Sequence, residues 1–336
     1  MKKLLKNIIR TVLPLLLGGF ILYWVYRDFD FSKVGEVLRH GINWWWMVLS
    51  LVFGVFSHIF RGWRWKLTLE PLGEYPKTSN SVYAIFISYA ANLVLPRLGE
   101  ISRCGVLAKY DGVSFTKSLG TVVTERLIDT LCVGLITLFA FVLQFHVFQR
   151  FFNQTGTDFS SFTDLFTSAR FYIILLCIIG VLVLIYYMLR KFSVFEKIRG
   201  AGKNIWEGII SLKSVKKKPL FIFYTILIWL FYFLQFYVTI FCFPFTHNLG
   251  ILAALVLFVC GSIAVVVPTP NGAGPWHFAV ISMMVLYGVG ETEAGIFALI
   301  VHGIQTFLVV LLGIYGLAVL PFTNKKKAPY SSDERI

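Results

Sequence analysis

The sequence predicts an all-α polytopic membrane protein, and three observations lead to this fold class. Of the 336 residues, 57% are hydrophobic and only 14% are charged. Several apolar runs reach the roughly 20 residues that cross a bilayer as a helix, and a soluble protein cannot bury so much apolar surface. The net charge of +14 is concentrated in a few loops, as in the cytoplasmic loops of membrane proteins, so no nucleic-acid partner is predicted.

Six segments are predicted to span the membrane as helices, and two more to form re-entrant helical hairpins. The hairpin arms are shorter than a full span, and a tip rich in Pro and Gly separates them. Treating both hairpins as spanning pairs, which gives eight to nine helices, fits the loop charges equally well and stays open. The spans are placed at about residues 8–26, 43–60, 118–148, 171–189, 219–243 and 294–320, and the hairpins at 81–110 and 250–289.

The first two spans have local signals at their ends. The first follows a basic segment, MKKLLKNIIR, and no small-residue cleavage site follows it, so it is predicted to be a retained helix. The second opens with three tryptophans at 44–46, which are typical of a membrane interface. It ends at RGWRWK, 61–66, whose basic residues are predicted to lie at the cytoplasmic surface. Short loops are expected between the first two spans and at 67–79.

Loop charges determine the predicted orientation. The loop at 190–218 holds nine Lys and Arg residues and is the strongest cytoplasmic marker, whereas the polar loop at 149–169 is predicted to be external. Both termini are therefore expected in the cytoplasm of a bacterium, with the protein in its inner membrane. Residues 1–324 form one transmembrane domain and 325–336 a short cytoplasmic tail. Hairpin 81–110 enters from the cytoplasm, and hairpin 250–289 from outside.

The two hairpins share a pattern that predicts an inverted repeat. Each has an apolar arm, a Pro/Gly tip, a second arm, a Gly-Val turn and then a long helix. Val113 precedes Arg126 by thirteen residues, and Val289 precedes His302 by thirteen. Repeats that enter a membrane from opposite faces are a common way to build a site from broken helices near the bilayer midplane.

Six charged side chains between residues 92 and 129 are the strongest candidates for a site. Charges at bilayer depth are costly, so they usually face a partner, a cavity or a substrate path. One interpretation is a neutral ion network that holds the first hairpin against the helix at 118–148. The other is a polar cavity in which arginines contact a phosphate through their planar set of donors and the carboxylates position them. The six are Arg97, Glu100, Arg103, Glu125, Arg126 and Asp129.

The second hairpin tip, PTPNGAGPW, places Gly272 and Gly274 just before a predicted helix N-terminus. Free backbone N–H groups there favour an anion, although a tight turn with close packing explains the same glycines. His277 and His302 have no cluster of Cys, His or carboxylate residues around them in the sequence, so neither a metal site nor a cofactor is predicted. His58 is expected at the membrane interface.

The sequence resembles the lysylphosphatidylglycerol synthase transmembrane-region family of flippase-like proteins over about residues 10 to 322. Four stretches carry the resemblance: RGWRWKL at 61–67, NLVLPRLGEISR at 92–103, GVSFTKSLGTVVTERLID at 112–129, and PTPNGAG followed by a Gly-Val turn at 268–289. Two positions depart from the family pattern, His277 where an acid is frequent and His302 where an arginine is common.

The resemblance implies an inner-membrane protein that moves or presents a lipid with an anionic or modified headgroup. The soluble aminoacyl-transferase half of bifunctional members is not found in this chain, so synthase activity is not implied. Substrate contact is expected from a dozen residues, and four more are expected at the hairpin tips. The substrate-binding set is Asn92, Arg97, Glu100, Arg103, Glu125, Arg126, Asp129, Asn271, Gly272, Gly274, His277 and His302, and the tip residues are Pro96, Gly99, Pro268 and Pro270.

Three functional hypotheses follow. The leading one is a flippase or transporter, not an enzyme, for an anionic or headgroup-modified phospholipid or a polyprenyl-phosphate-type lipid. The alternative is a membrane enzyme or enzyme subunit of lipid or glycolipid modification, in which Glu100, Glu125 and Asp129 act as bases or hold Mg²⁺. The third is a structural partner in the cell envelope. Membrane lipids are the expected partners, and a homodimer is a further expectation.

Overall fold

The structure is a computed structural model that describes residues 2–154, 176 and 215–324. Within these residues the chain is helical and contains no strand, which confirms an all-α fold. Eleven α-helices are described: α1 (Lys2–Tyr26), α2 (Ser32–His40), α3 (Trp44–Leu69), α4 (Thr78–Val94), α5 (Leu98–Asp111), α6 (Phe115–Leu143), α7 (Phe145–Gln154), α8 (Lys218–Tyr237), α9 (Ile251–Ala264), α10 (Pro275–Leu286) and α11 (Glu291–Thr323).

Four helical segments of the described chain are long and apolar enough to cross a bilayer. Three of them match predicted spans closely, and the fourth, which contains α3, is longer than predicted. The predicted span at 171–189 lies outside the described residues. The chain is therefore a multi-pass α-helical membrane protein. The four segments are Trp44–Leu72, Phe115–Leu143, Lys218–Cys242 and Glu291–Thr323.

Three predicted boundaries were wrong. Helix α3 continues to Leu69 instead of ending at residue 60, because its arginines are buried and paired inside the protein (below). The predicted helix at 118–148 is two helices, since the backbone of Gln144 leaves the helical region (φ −123°, ψ 33°) between α6 and α7. The loop expected after the first span contains α2, which begins where the Asp30 carboxylate accepts hydrogen bonds from Ser32.

Both hairpins form as predicted pairs of short helices, α4–α5 and α9–α10. At 1.5 Å per residue, α4 is ~25 Å long and α10 ~18 Å, less than the ~30 Å hydrocarbon core. Each tip contains a Pro followed by a residue in the left-handed region, Arg97 (φ 68°) after Pro96 and Asn271 (φ 52°) after Pro270. The two tips therefore reverse the chain with the same local device.

The packing exchanges elements between the two halves, as an inverted repeat requires. Helices α3 and α8 pack against each other. The first arm of the first hairpin, α4, packs on α11, and the first arm of the second, α9, packs on α6. The Gly-Val turns also correspond, because Gly112 and Gly288 both have positive φ values and Val113 and Val289 donate their backbone N–H groups back to the preceding helices. Each half thus completes the other.

Hydrogen bonds at the helix ends fix the relative directions of the long helices. At one end, Lys77 Nζ donates to Asn324 Oδ1 (2.9 Å), which joins the start of α4 to the end of α11. At the other end, Tyr26 donates to the Gly295 carbonyl oxygen (3.2 Å), near the start of α11. Helix α6 starts at the first of these ends, and α11 finishes there, so the two helices run in opposite directions. Their central residues therefore lie at about the same depth in the protein.

Candidate functional site

A buried network of five charged side chains joins α3, α5 and α6. Arg64 donates to both acids, from Nε to Glu125 Oε1 (3.3 Å) and from Nη2 to Asp129 Oδ1 (2.9 Å). Arg61 pairs with the other oxygen of Asp129, and Arg103 with Glu125 Oε2 at 2.8 Å. All five side chains are buried, and Arg64 and Glu125 have no exposed surface. Three arginines therefore share two carboxylates, which leaves the buried network with a net charge of +1. Among the described residues, one guanidinium nitrogen of each arginine is buried without a hydrogen-bond partner: Arg61 Nε, Arg64 Nη1 and Arg103 Nε.

Helix periodicity explains why these residues meet. Glu125 and Asp129 are four residues apart on α6, and Arg61 and Arg64 three apart on α3, so each pair lies on one helix face. Trp65 strengthens the contact, because its indole N–H donates to Thr121 Oγ1 (3.0 Å) and its ring lies 4.6 Å from the Arg103 guanidinium.

The predicted surface location of RGWRWK was wrong for Arg61 and Arg64, whereas Lys66 is partly exposed. The membrane-interface location of His58 stays a prediction. Arg61, Arg64 and His58 are buried. Sequence reasoning therefore missed Arg61 and Arg64 as partners of the α6 acids. One signal could have found them: two acids on one face of an apolar helix require cations, and Arg61 and Arg64 are spaced to match.

Arg126 stands apart from this network. Its Nη2 donates to Glu100 Oε1 (2.9 Å), a pair that links α6 to the first turn of α5. The Arg126 side chain is 45% exposed, in contrast to the arginines of the buried network. Arg126 and Asp129, and likewise Glu100 and Arg103, are three residues apart on one helix but do not pair with each other, because each of these groups has a partner on another helix.

A cavity of about 440 Å³ joins the charged face of α6 to the second hairpin tip. From the first half of the chain, Arg126 and Asp129 line it; from the second half, Asn271 and His302 do. The structure thus brings together residues that are more than 140 positions apart in the sequence, as the inverted repeat predicted. Arg61, Tyr89, Tyr232, Trp229 and Gln305 also line the cavity.

The tip side of the cavity is held by neutral hydrogen bonds. Asn271 Nδ2 donates to Thr306 Oγ1 (2.8 Å), and His302 Nε2 donates to the carbonyl oxygen of Asn271 (3.1 Å). His277 is buried behind the tip, where Nδ1 accepts the backbone N–H of Gly274 (3.4 Å). His302 therefore faces the cavity, whereas His277 supports the turn.

Several predicted site residues lie outside the cavity lining. Asn92 Oδ1 accepts the backbone N–H of Gly99 (2.8 Å) and so closes the first tip, while Arg97 is exposed at that tip. Arg103 and Glu125 belong to the buried network.

The predicted tip glycines serve close packing within the protein. A Cβ at Gly99 would collide with the carbonyl oxygen of Ser88, and one at Gly274 would lie 2.9 Å from the carbonyl oxygen of Gly18. A Cβ at Gly272 would likewise lie 2.7 Å from the side chain of Val265. The space beside these glycines is therefore filled by the protein's own atoms. Of the prolines, Pro96 and Pro270 precede the residues at which the two tips reverse, and Pro268 is exposed.

An apolar groove adjoins the polar cavity. It has a volume of about 590 Å³ and runs between α6, α8 and α9, with side chains such as Leu135, Phe139 and Leu230 along it. Trp229 and Phe258 line both the groove and the cavity, so the two spaces meet at these rings. Together they form a polar compartment with an apolar extension.

The described carboxylates are not arranged as a metal site. No group of three or more His, Cys, Asp or Glu side chains suited to a metal ion occurs within residues 2–154 and 215–324. Glu125 and Asp129 use all four carboxylate oxygens to accept from arginines.

These features define a class: a multi-pass helical membrane protein built from two halves, with broken helices meeting at a cavity that contains charged and polar side chains. The family model for the lysylphosphatidylglycerol synthase TM region matches residues 11–313, and the chain belongs to this family. The chain is thereby related to membrane proteins of lipid modification or flipping. Comparison with curated proteins and with solved structures gives no match.

Proposed function

We propose that the protein is a transporter that moves a lipid with an anionic or modified headgroup across the bacterial inner membrane, with both termini in the cytoplasm. The observation that carries this proposal is the junction at Trp229 and Phe258, where a cavity that contains charged and polar side chains adjoins an apolar groove. A polar solute needs only the cavity. An amphipathic molecule needs both spaces, because its headgroup requires polar partners and its chain requires apolar ones.

Arg126 is the residue best placed to bind a lipid phosphate. Its guanidinium is half-exposed toward the cavity and is held by a carboxylate on the neighbouring α5, Glu100, which leaves further donors for a ligand. Arg61 contributes positive charge from the opposite wall but is already paired with Asp129. Arg103 and Glu125 do not contact the ligand in this proposal; their ion pair holds α5 against α6.

A transporter fits these contacts better than the enzyme alternative does. A general base or an Mg²⁺ ligand needs a carboxylate that is free to bind, whereas every oxygen of Glu125 and Asp129 already accepts from an arginine. The third acid, Glu100, is paired with Arg126 through Oε1, and its unpartnered Oε2 is buried. The same carboxylates stabilise the helix packing that surrounds the cavity.

Translocation of fluorescent phosphatidylglycerol in proteoliposomes tests the proposal. We expect Arg126→Gln to lower the initial rate at least about tenfold, because a charge-assisted contact to phosphate contributes ~1.5–3 kcal/mol. Lys109→Gln is the matched control, since Lys109 is an exposed cation on α5 remote from the cavity lining. Equal rates for wild type, Arg126→Gln and protein-free liposomes across several anionic lipids would contradict the proposal.

A further inference from the structure

We propose that the cavity selects a lipid phosphate whose headgroup is an uncharged polyol or sugar, and disfavours a headgroup that carries an ammonium group. This inference rests on the proposed function, since it concerns the headgroup that enters the same cavity. It is carried by the charges and the free hydrogen-bonding groups of the lining.

Within residues 2–154 and 215–324, the lining offers no unpaired carboxylate to a cationic headgroup. Among the described residues, its charged side chains are Arg61, Arg126 and Asp129. Both oxygens of Asp129 already accept from arginines, Arg61 and Arg64. Glu100 lies outside the lining: its Oε1 is paired with Arg126, and its Oε2, which has no partner among the described residues, is buried away from the cavity surface. An ammonium group would therefore lose its hydration and meet positive charge, whereas a phosphate would meet Arg126.

The parts of the lining that come from α8, α10 and α11 are neutral and rich in hydrogen-bonding groups. Gln235 and Gln305 line the cavity together with the rings of Trp229 and Trp276. The Gln305 amide nitrogen is buried at the edge of the cavity and has no hydrogen-bond partner among the described residues, so it is an unsatisfied donor beside the site. Amides match the alternating donors and acceptors of hydroxyl groups, and indole faces pack against the C–H surface of a polyol or sugar.

The repeat shows where the two halves diverge. Thirteen and sixteen residues after Val113 stand Arg126 and Asp129; at the same distances after Val289 stand His302 and Gln305. All four line the cavity. The two positions are therefore charged in one half and neutral in the other. This arrangement suits a ligand with a charged phosphate at one end and an uncharged group at the other.

The test is native mass spectrometry of the full chain in mild detergent with an equimolar mixture of phosphatidylinositol and lysylphosphatidylglycerol. We expect phosphatidylinositol to be retained about tenfold more, because an unpaired cation in the cavity is costly. Gln305→Leu should lower retention of phosphatidylinositol about fivefold but leave that of phosphatidic acid, which has the phosphate and no polyol, unchanged. Gln305→Glu should raise retention of lysylphosphatidylglycerol, because it supplies an unpaired carboxylate.

Preferential retention of lysylphosphatidylglycerol by the wild type would overturn the inference. So would an equal loss of phosphatidylinositol and phosphatidic acid in Gln305→Leu, or no gain in Gln305→Glu. Retention does not depend on transport. The expected selectivity without any translocation would therefore refute the proposed transport alone, and translocation with a preference for the lysyl lipid would refute this inference alone.

Discussion

At the scale of single residues, Glu125 is the centre of the buried charge network. It has no exposed surface, and its two oxygens accept from Arg64 on α3 and Arg103 on α5. Removing one member of a buried ion pair costs more than the pair contributes, since the remaining charge keeps its desolvation cost without its partner. Glu125 therefore controls stability at a position that the sequence assigned to substrate contact.

We predict that Glu125→Gln lowers the free energy of unfolding by ~3–5 kcal/mol, because Arg64 and Arg103 lose a negative partner in a buried environment. Reversible unfolding in mixed SDS micelles measures the loss. Glu36→Gln is the control, since Glu36 is exposed on α2 and its replacement should change stability by less than ~0.5 kcal/mol. A similar small effect for both variants would show that the network does not stabilise the fold.

The sequence identified the charged residues but not which of them hold helices together and which face the cavity. Charged side chains are costly at bilayer depth, and this cost marked Glu125, Arg126 and Asp129 as candidate site residues. It marked them together, because helix periodicity places them near one another on α6. Which of them faces a cavity depends on the partners on α3, and the arginines of α3 resembled an ordinary basic helix end. Pairing across helices more than 60 residues apart leaves no local signal, so Arg126 could not be separated from Asp129 by sequence alone.

At the scale of elements, the first hairpin depends on a close crossing of its arms. Helix α5 begins against α4 so tightly that a Cβ at Gly99 would collide with the carbonyl oxygen of Ser88. The Asn92 side chain secures the same crossing by accepting the Gly99 N–H. The Pro/Gly break was predictable because these residues punctuate helices, but the contact that makes glycine necessary lies between two elements.

We predict that Gly99→Ala destabilises the protein by ~1–3 kcal/mol, because the added methyl group forces the arms of the hairpin apart. Gly105→Ala is a matched control on the same helix: a Cβ there meets nothing within 4 Å, and the better helix propensity of alanine should leave stability unchanged or raise it by up to ~1 kcal/mol. Midpoints of SDS-induced unfolding compare the two. Equal midpoints would mean that the arms separate at no cost.

At the scale of the whole molecule, the exchange of hairpin arms between the halves creates the cavity. Helix α4 packs on α11, and α9 packs on α6. Arg126 and His302 each lie eleven residues beyond the first residue of their helix, ~16 Å along it, and these helices start at opposite ends of the protein. The equal spacing from each Gly-Val turn to Arg126 or His302 made this symmetry predictable from the sequence. The groove between α6, α8 and α9 was not predictable, because it arises only from the packing of these helices.

We predict that the two hairpins enter the membrane from opposite faces without crossing it. Arms of ~25 Å or less cannot carry a tip through a ~30 Å hydrocarbon core, so each tip should be closed to water on the far side. In a cysteine-free background, we expect a membrane-impermeant thiol reagent to label Tyr75→Cys, in the loop before α4, from the cytoplasmic side. Arg97→Cys, at the tip of the same hairpin, should not be labelled from outside. If Arg97→Cys were labelled from outside as readily as Tyr75→Cys is from the cytoplasm, α4 and α5 would instead each span the membrane. The cavity would then not be reached through opposed hairpins.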